Sequence, residues 1–396
     1  MIRYIFTTLL LFLPILISAN EEYIVRVWLA DKEGCEFSIL LPKEFLSERS
    51  IQRHKSNGVE ILHHDLPLSP QYKTEILTIA NRAICHSNWL NTIVVECDSS
   101  KIAKIEELPF VSKVDVLSPK NVTPINVTPN YYNLGNVKHH KQYGVSYPIS
   151  KIVGATPYHN RGEWGEGVYI AVLDDGFAGV DTLTEWFDKE RIKFVYDVLT
   201  PNGNLYREDE HGTAVLSIML ANKNGEYVGV APQSDYALLR TEDINCEAPY
   251  EEDFWVRGVE IADSLGVDII TSSLGYEDFN GITSVSTLAA QIAVEKGIAV
   301  VTSCGNKGTE GFSHPADVDG VIAVGGVDSK GKVLDFTSKH LVKGKYRAPK
   351  RVALASEVPV INGSGKIVIT YGTSFAAPAV AGVEALKRGD KIEKRR

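Results

Sequence analysis

Beyond about Tyr143 the chain alternates between short continuous apolar runs and longer helical stretches. The runs are Val168 to Leu173, Tyr236 to Leu239, Val267 to Ile270, Ile298 to Thr302 and Val321 to Val324; the helical stretches include Thr213 to Ala221, Asp253 to Leu265 and Ser284 to Lys296. Strands that are apolar on both faces need cover on both, and strands joined by helix-length connections pair in parallel. The pattern predicts an α/β domain on a doubly wound, mainly parallel sheet with helices on both faces. In such sheets reactive groups collect where strands end and loops begin.

Four segments lie at such ends: Leu173-Asp174-Asp175-Gly176, His211-Gly212-Thr213-Ala214, Ser303-Cys304-Gly305-Asn306, and Gly372-Thr373-Ser374-Phe375-Ala376-Ala377-Pro378. Singly, each has an ordinary explanation, since Asp before Gly makes turns, His-Gly makes loops and Ser at a helix start makes an N-cap. Their order is more informative. The nucleophile elbow of α/β-hydrolases, which Gly372 to Ala376 loosely resembles, needs its acid and His after the Ser, and the last histidine here is His340. A His, Asp, Ser order leaves the strand-end Asp174 without a role. The order Asp, His, Ser remains.

Together the four blocks resemble those of the subtilisin-like proteases, or subtilases, in the family's order. Ser273-Leu274-Gly275 and His314-Pro315-Ala316, leading into Val321-Ile322-Ala323-Val324-Gly325, resemble two further signatures. The resemblance implies a subtilisin-like fold and a serine endopeptidase acting through an acyl-enzyme. Ser374 is then the nucleophile, His211 its general base, Asp174 the group that orients the His, and Asn306 a donor to the oxyanion. Ser273, Leu274 and Gly275 become an edge along which substrate lies as an added strand. Lys307 falls at the rim of the pocket for the side chain before the cut, where its cation is expected to disfavour Lys and Arg.

The chain departs from the family pattern at three places. Asp175 stands where Ser or Thr is common, so a second carboxylate adjoins the expected acid. Cys304 stands where Ala is common and reads as a packing residue. After the Ser-bearing helix, expected to run to about Leu386, the chain goes directly into Arg388-Gly389-Asp390-Lys391, so the catalytic domain is expected to be truncated at its C-terminus. That sets up the rival reading, an inactive product acting only as a secreted binding protein.

The reaction needs no cofactor and no metal ligand set. The family allows for structural calcium, with Glu242-Asp243 to Glu251-Glu252-Asp253 as the candidate stretch and a solvated charged face as the commoner explanation. His63-His64-Asp65 and His139-His140 read as packed or solvated histidines, there being no H-E-x-x-H. Five widely spaced cysteines specify no disulfide and read as buried or free thiols.

Upstream, Arg3, the apolar run Ile5 to Ile17 and Ser18-Ala19 have a signal-peptide layout over residues 1–19, which predicts export and a secreted product. Residues 20–118 read as a small α+β pro-region, with strands Tyr23 to Ala30, Thr92 to Glu96 and Val111 to Leu117, and a helix Ser99 to Leu108. The proline-punctuated residues 119–142 read as a linker, with glycosylation triplets at Asn121 and Asn126, and 143–396 as the peptidase domain. The expected partners are protein or peptide substrates and the chain's own prodomain. A balance of 41 basic against 50 acidic residues, net −9, leaves nucleic acid no electrostatic footprint, and no later apolar run is long enough to hold the processed protein in a membrane.

Overall fold

The computed structural model describes residues 21–120, 130–135, 138–246, 248–277, 282–342, 345–347, 349 and 351–393. The expected signal peptide and both glycosylation triplets lie outside the described residues. The N-terminal unit runs β1 (Glu22–Leu29), α1 (Glu48–Asn57), α2 (Pro70–Ile79), β2 (Arg82–Ser87), β3 (Thr92–Asp98), α3 (Ile102–Glu106) and β4 (Val111–Pro119). Its strands form one antiparallel sheet in the order β2-β3-β1-β4. Alternate residues Val25, Val27, Ile93 and Val95 bury against Tyr72, Ile76, Ile102 and Ile105 of the helices, the period of two meeting the period of 3.6. The helix expected from Ser99 opens instead with a 3-10 turn, Ser99–Lys101.

The second unit begins inside the stretch read as linker, with β5 (Tyr132–Asn133), followed by α4 (Tyr147–Val153) and α5 (Thr156–His159). Next come β6 (Tyr169–Asp174), β7 (Ile192–Asp197), α6 (His211–Leu220), the short pair β8 (Asn222–Lys223) and β9 (Tyr227–Val228), and β10 (Asp235–Arg240). There follow α7 (Glu251–Leu265), β11 (Ile269–Ser272), α8 (Val285–Glu295), β12 (Ala299–Ser303), β13 (Ile322–Val327) and the pair β14 (His340–Val342) and β15 (Lys345–Arg347). The chain ends with β16 (Arg351–Leu354), β17 (Val358–Ile361), β18 (Ile367–Thr370) and α9 (Ala376–Glu393). The helix after Ser374 thus runs beyond Leu386 to Glu393.

Seven strands form a wholly parallel sheet in the order β16-β13-β12-β11-β6-β10-β7. In β6, Ile170 and Val172 enter the core shared with α6 and α9, while Ala171 and Leu173 enter the core shared with α7 and α8. That is why the run is apolar without alternation. The chain winds from β6 outward to β7, returns to β10, then crosses β6 to build β11, β12, β13 and β16 on the other side. The reversal places a crevice at the carboxyl ends of β6 and β11.

The N-terminal sheet packs its other face on α7. Arg26 of β1 donates to both carboxylate oxygens of Asp253, at 2.7 and 2.6 Å. Glu260 accepts from Ser87 Oγ (2.5 Å), Asn88 N (3.0 Å) and Trp89 N (2.9 Å) at the β2–β3 turn. Arg53 of α1 pairs with Asp263 and donates to Val267 O at 2.8 Å. Within the acidic stretch Glu251, Glu252 and Asp253 are buried, while Glu242 and Asp243 are half-buried. Glu251 accepts from Asp243 N and Ala248 N, Glu252 from Ser284 Oγ and Ser286 N, and Asp253 holds Arg26.

Candidate active site

Asp174 is the last residue of β6 and is fully buried. His211 opens α6, where Asp209 Oδ1 accepts from Glu210 N (2.7 Å) and His211 N (3.0 Å) and so holds the start of the helix. His211 Nδ1 and Asp174 Oδ1 are hydrogen-bonded at 2.7 Å. Phe375 lies against the ring, with centroids 5.4 Å apart. Burial disfavours a charge on His211, but the Asp174 carboxylate, then Asp175 and Asp209, outweigh it and push the ring up to about 10.

Ser374 sits in a 3-10 turn, Thr373–Phe375, that leads into α9. It was expected to open the α-helix itself. Its position at the start of a helical run still leaves backbone N–H groups without intrahelical acceptors. Ser273 Oγ donates to Ser374 O (2.6 Å) and Ser374 Oγ donates to Ser273 O (3.2 Å), which ties the ends of two segments about a hundred residues apart. Asn306 Oδ1 accepts from Thr373 N and Thr373 Oγ1, both at 3.0 Å. This fixes the amide, so Nδ2 is left to donate, and a Cβ added at Gly372 would stand 3.7 Å from it. Gly372 has φ 135, which L side chains rarely adopt.

Ser273, Leu274 and Gly275 follow directly on β11. A Cβ at Gly275 would meet Ser313 Cβ at 2.7 Å, and one at Gly305 would meet Ser313 Oγ at 3.0 Å, so Ser313 packs against both segments only because each carries glycine there. Next to Ser313 lies an open cleft of about 430 Å³ lined by Tyr276, Glu277, Lys307, Phe312 and His340 among others. Lys307 pairs there with Glu277. The Glu277 carboxylate thus adjoins the cation that is expected to act at this rim. Cys304 is buried, with its thiol pushed up to about 12 by burial, as suits a packing residue.

Residues 165–392 match the Subtilase family, Peptidase S8. The chain belongs to the subtilase family. Residues 24–131 of this subtilase match the Peptidase S8 propeptide domain of Bacteroidota, running past the boundary expected at 118. It is 32% identical to subtilisin DY of Bacillus licheniformis over 242 residues, 59% of this chain and 81% of that one. It is 29% identical to the thermostable alkaline protease of Halalkalibacterium halodurans over 295 residues, 73% of this chain and 75% of that one. Among solved structures, prenylagaramide maturation protease PagA superposes with a TM-score of 0.50 at 24% identity, covering 61% of this chain and 82% of that one, a likeness of fold alone. The subtilase is a serine-type endopeptidase made with a propeptide domain.

Two residues at the subtilase's site escaped the sequence reading. Asp209 carries a usable signal, an Asp two residues before a helix-opening His. Tyr131 carries none. It lies just before β5, its hydroxyl is buried without a partner, and it sits near Glu210, Asp209, Asp175 and Asp174. The His63 and His139 clusters lie on other segments: His63 and His64 are in a 3-10 turn of the N-terminal unit, and the His140 ring stacks on Tyr147.

Proposed function

We propose that the chain is the secreted precursor of an endopeptidase in which Asp174, His211 and Ser374 form the triad and Asn306 donates to the oxyanion. One observation carries the reading: the Asp174–His211 hydrogen bond and the Ser273–Ser374 contacts gather at the crevice where the sheet's winding reverses. His211 takes the Ser374 proton during attack on the scissile carbonyl and returns it to the leaving amine, while Asp174 holds the proton on Nδ1. In the resting geometry the Ser374 hydroxyl donates to Ser273 O, and the mechanism requires it to turn to the ring when substrate binds, as catalytic contacts tighten then.

Substrate lies as an extended strand along Ser273 to Gly275, with the side chain before the cut directed toward the cleft that Lys307 lines. The N-terminal unit serves as inhibitor and folding aid and is removed by the enzyme itself. A fluorophosphonate probe is expected to label the processed enzyme and to lose labelling in Ser374→Ala, whose precursor accumulates uncut between Ser118 and Tyr143. A Ser374→Ala precursor that matures normally when expressed alone refutes self-cleavage. Labelling that survives the substitution refutes the nucleophile.

A further inference from the structure

Asp174 has two carboxylate oxygens, and only one has partners. Oδ1 takes His211 Nδ1 at 2.7 Å and Asp175 N at 3.0 Å, while Oδ2 is buried with none. Asp175 is buried too, and its Oδ1 likewise has no partner. Oxygen or nitrogen atoms of Asp174, Asp175 and His211 all lie within 4.8 Å of one another. Two adjacent buried carboxylates, each with an orphan oxygen, lack one donor between them. A single proton supplies it.

The surroundings favour that proton. Arg240 donates through Nε to Asp175 O at 2.8 Å, and its other nitrogens face Asp197 at 3.2 Å and Glu208 at 3.4 Å, so its charge is directed away from the Asp175 carboxyl. The remaining groups that face Asp175 are Asp174 from β6, His211 from α6, Asp209 from the turn before α6, and Tyr131 ahead of β5. Burial, and then the Asp174 charge, raise Asp175 well above the ordinary carboxyl range; His211 opposes them, while Asp209 and a hydrogen bond to Asp174 reinforce them.

We propose that Asp175 remains a neutral carboxylic acid in the working enzyme and donates its proton to the free oxygen of Asp174, which makes it a positioning residue for the triad. The proposal rests on the Asp174–His211–Ser374 reading. It also resolves a conflict within that reading. Two ionised carboxylates beside His211 hold the ring protonated through the neutral range, and an imidazolium cannot accept the Ser374 proton. With Asp175 neutral, Asp174 and Asp209 remain to act on the ring, and Asp174 is held by donors at both oxygens. The same logic places a protonated acid as a donor in other active sites.

The test uses the full chain. In the Ser374→Ala precursor at neutral pH, infrared spectroscopy is expected to find the carbonyl band of a buried protonated acid, which the added Asp175→Asn removes. In self-processed enzyme, Asp175→Asn keeps a neutral donor, so kcat/KM is expected to stay within about threefold and its acid limb within about 0.3 of a pH unit of the parent. Asp175→Ala strands Asp174 Oδ2 and is expected to lower kcat by about tenfold to a hundredfold with KM unchanged. The proposal is overturned by a band that Asp175→Asn leaves intact, by an acid limb that falls a full unit in Asp175→Asn, or by an Asp175→Ala enzyme as fast as the parent. Should Asp175→Ala fail to fold, the infrared pair decides alone. Fluorophosphonate labelling of the parent reports separately on the triad.

Discussion

Asp174 and Asp175 are neighbours in sequence and nearly equal in burial, yet their expected mutational costs differ by orders of magnitude. Asp174→Asn turns the acceptor of the His211 Nδ1 proton into a group able to present a donor, which inverts the tautomer. A loss in kcat of about 10⁴-fold is expected, the scale of the same change in other Ser-His-Asp triads, against a mild effect for Asp175→Asn. Steady-state kinetics on one peptide substrate check both, and a more damaging Asp175→Asn reverses the acid assignment. Lys307 is the other position where a neighbour sets the outcome. Removing its ammonium by Lys307→Ala leaves Glu277 alone at the rim of the cleft. At an exposed site this is worth about 1 kcal/mol at most, so a shift of several-fold toward peptides with Lys before the cut is expected, fading at high salt. A Glu-to-Lys preference ratio that neither salt nor Lys307→Ala alters would exclude the cleft from recognition.

Elements held by apolar pattern were legible in the sequence; elements held by charge were not. The runs at Val168, Tyr236, Val267, Ile298 and Val321 became β6, β10, β11, β12 and β13 to within about three residues. β7, Ile-Lys-Phe-Val-Tyr-Asp, alternates because it is an edge strand, and β16 is only four residues long. α1, Glu48–Asn57, carries a single aliphatic residue, Ile51, and sits on the second unit through Arg49 and Arg53 to Asp268 and Asp263. A hydrophobic period has nothing to detect in such a helix. The site followed the same rule: strand-end motifs were readable, whereas Asp209 and Tyr131 reach it through folding.

The acids of α7 make the attachment of the propeptide unit measurable. Arg26 and Asp253 are both buried, so Arg26→Ala leaves a carboxylate without its cation and is expected to destabilise the Ser374→Ala precursor by about 3–5 kcal/mol in urea unfolding. Asp263 is held below the ordinary carboxyl range: burial raises it, but His54, Lys296 and Arg53 together outweigh that. A depressed carboxyl adds stability that is complete above its unfolded value, near 4, and is lost as pH falls through its lower folded value. The unfolding midpoint is thus expected to drop on acidification below about pH 4 and to drop less steeply in Asp263→Asn. Equal acid slopes in the two proteins would place the acid sensitivity elsewhere.

On the scale of the whole molecule, the first cut need not separate the two halves of the chain from the active site equally. β5 runs antiparallel to β18, with Asn133 opposite Val368 and Tyr132 opposite Ile369, so the chain read backward from Asn133 heads toward Ser374. Tyr132 meets Tyr371 edge-on, with ring centroids 5.6 Å apart. After a cut upstream of Asn130, Tyr132 and Asn133 are expected to remain paired with β18, on the side that leads to Ser374. A segment tethered in this way is held at an effective concentration on the order of millimolar. The expectation that follows is competition by this segment for the leaving side of the cleft, which dilution would not remove. Tyr131→Gly is expected to lower KM several-fold for peptides extending three residues past the cut, and to leave p-nitroanilides, which have no leaving-side residues, unchanged. An equal effect on both substrates would mean that Tyr131 shapes the triad and not the channel through which products depart.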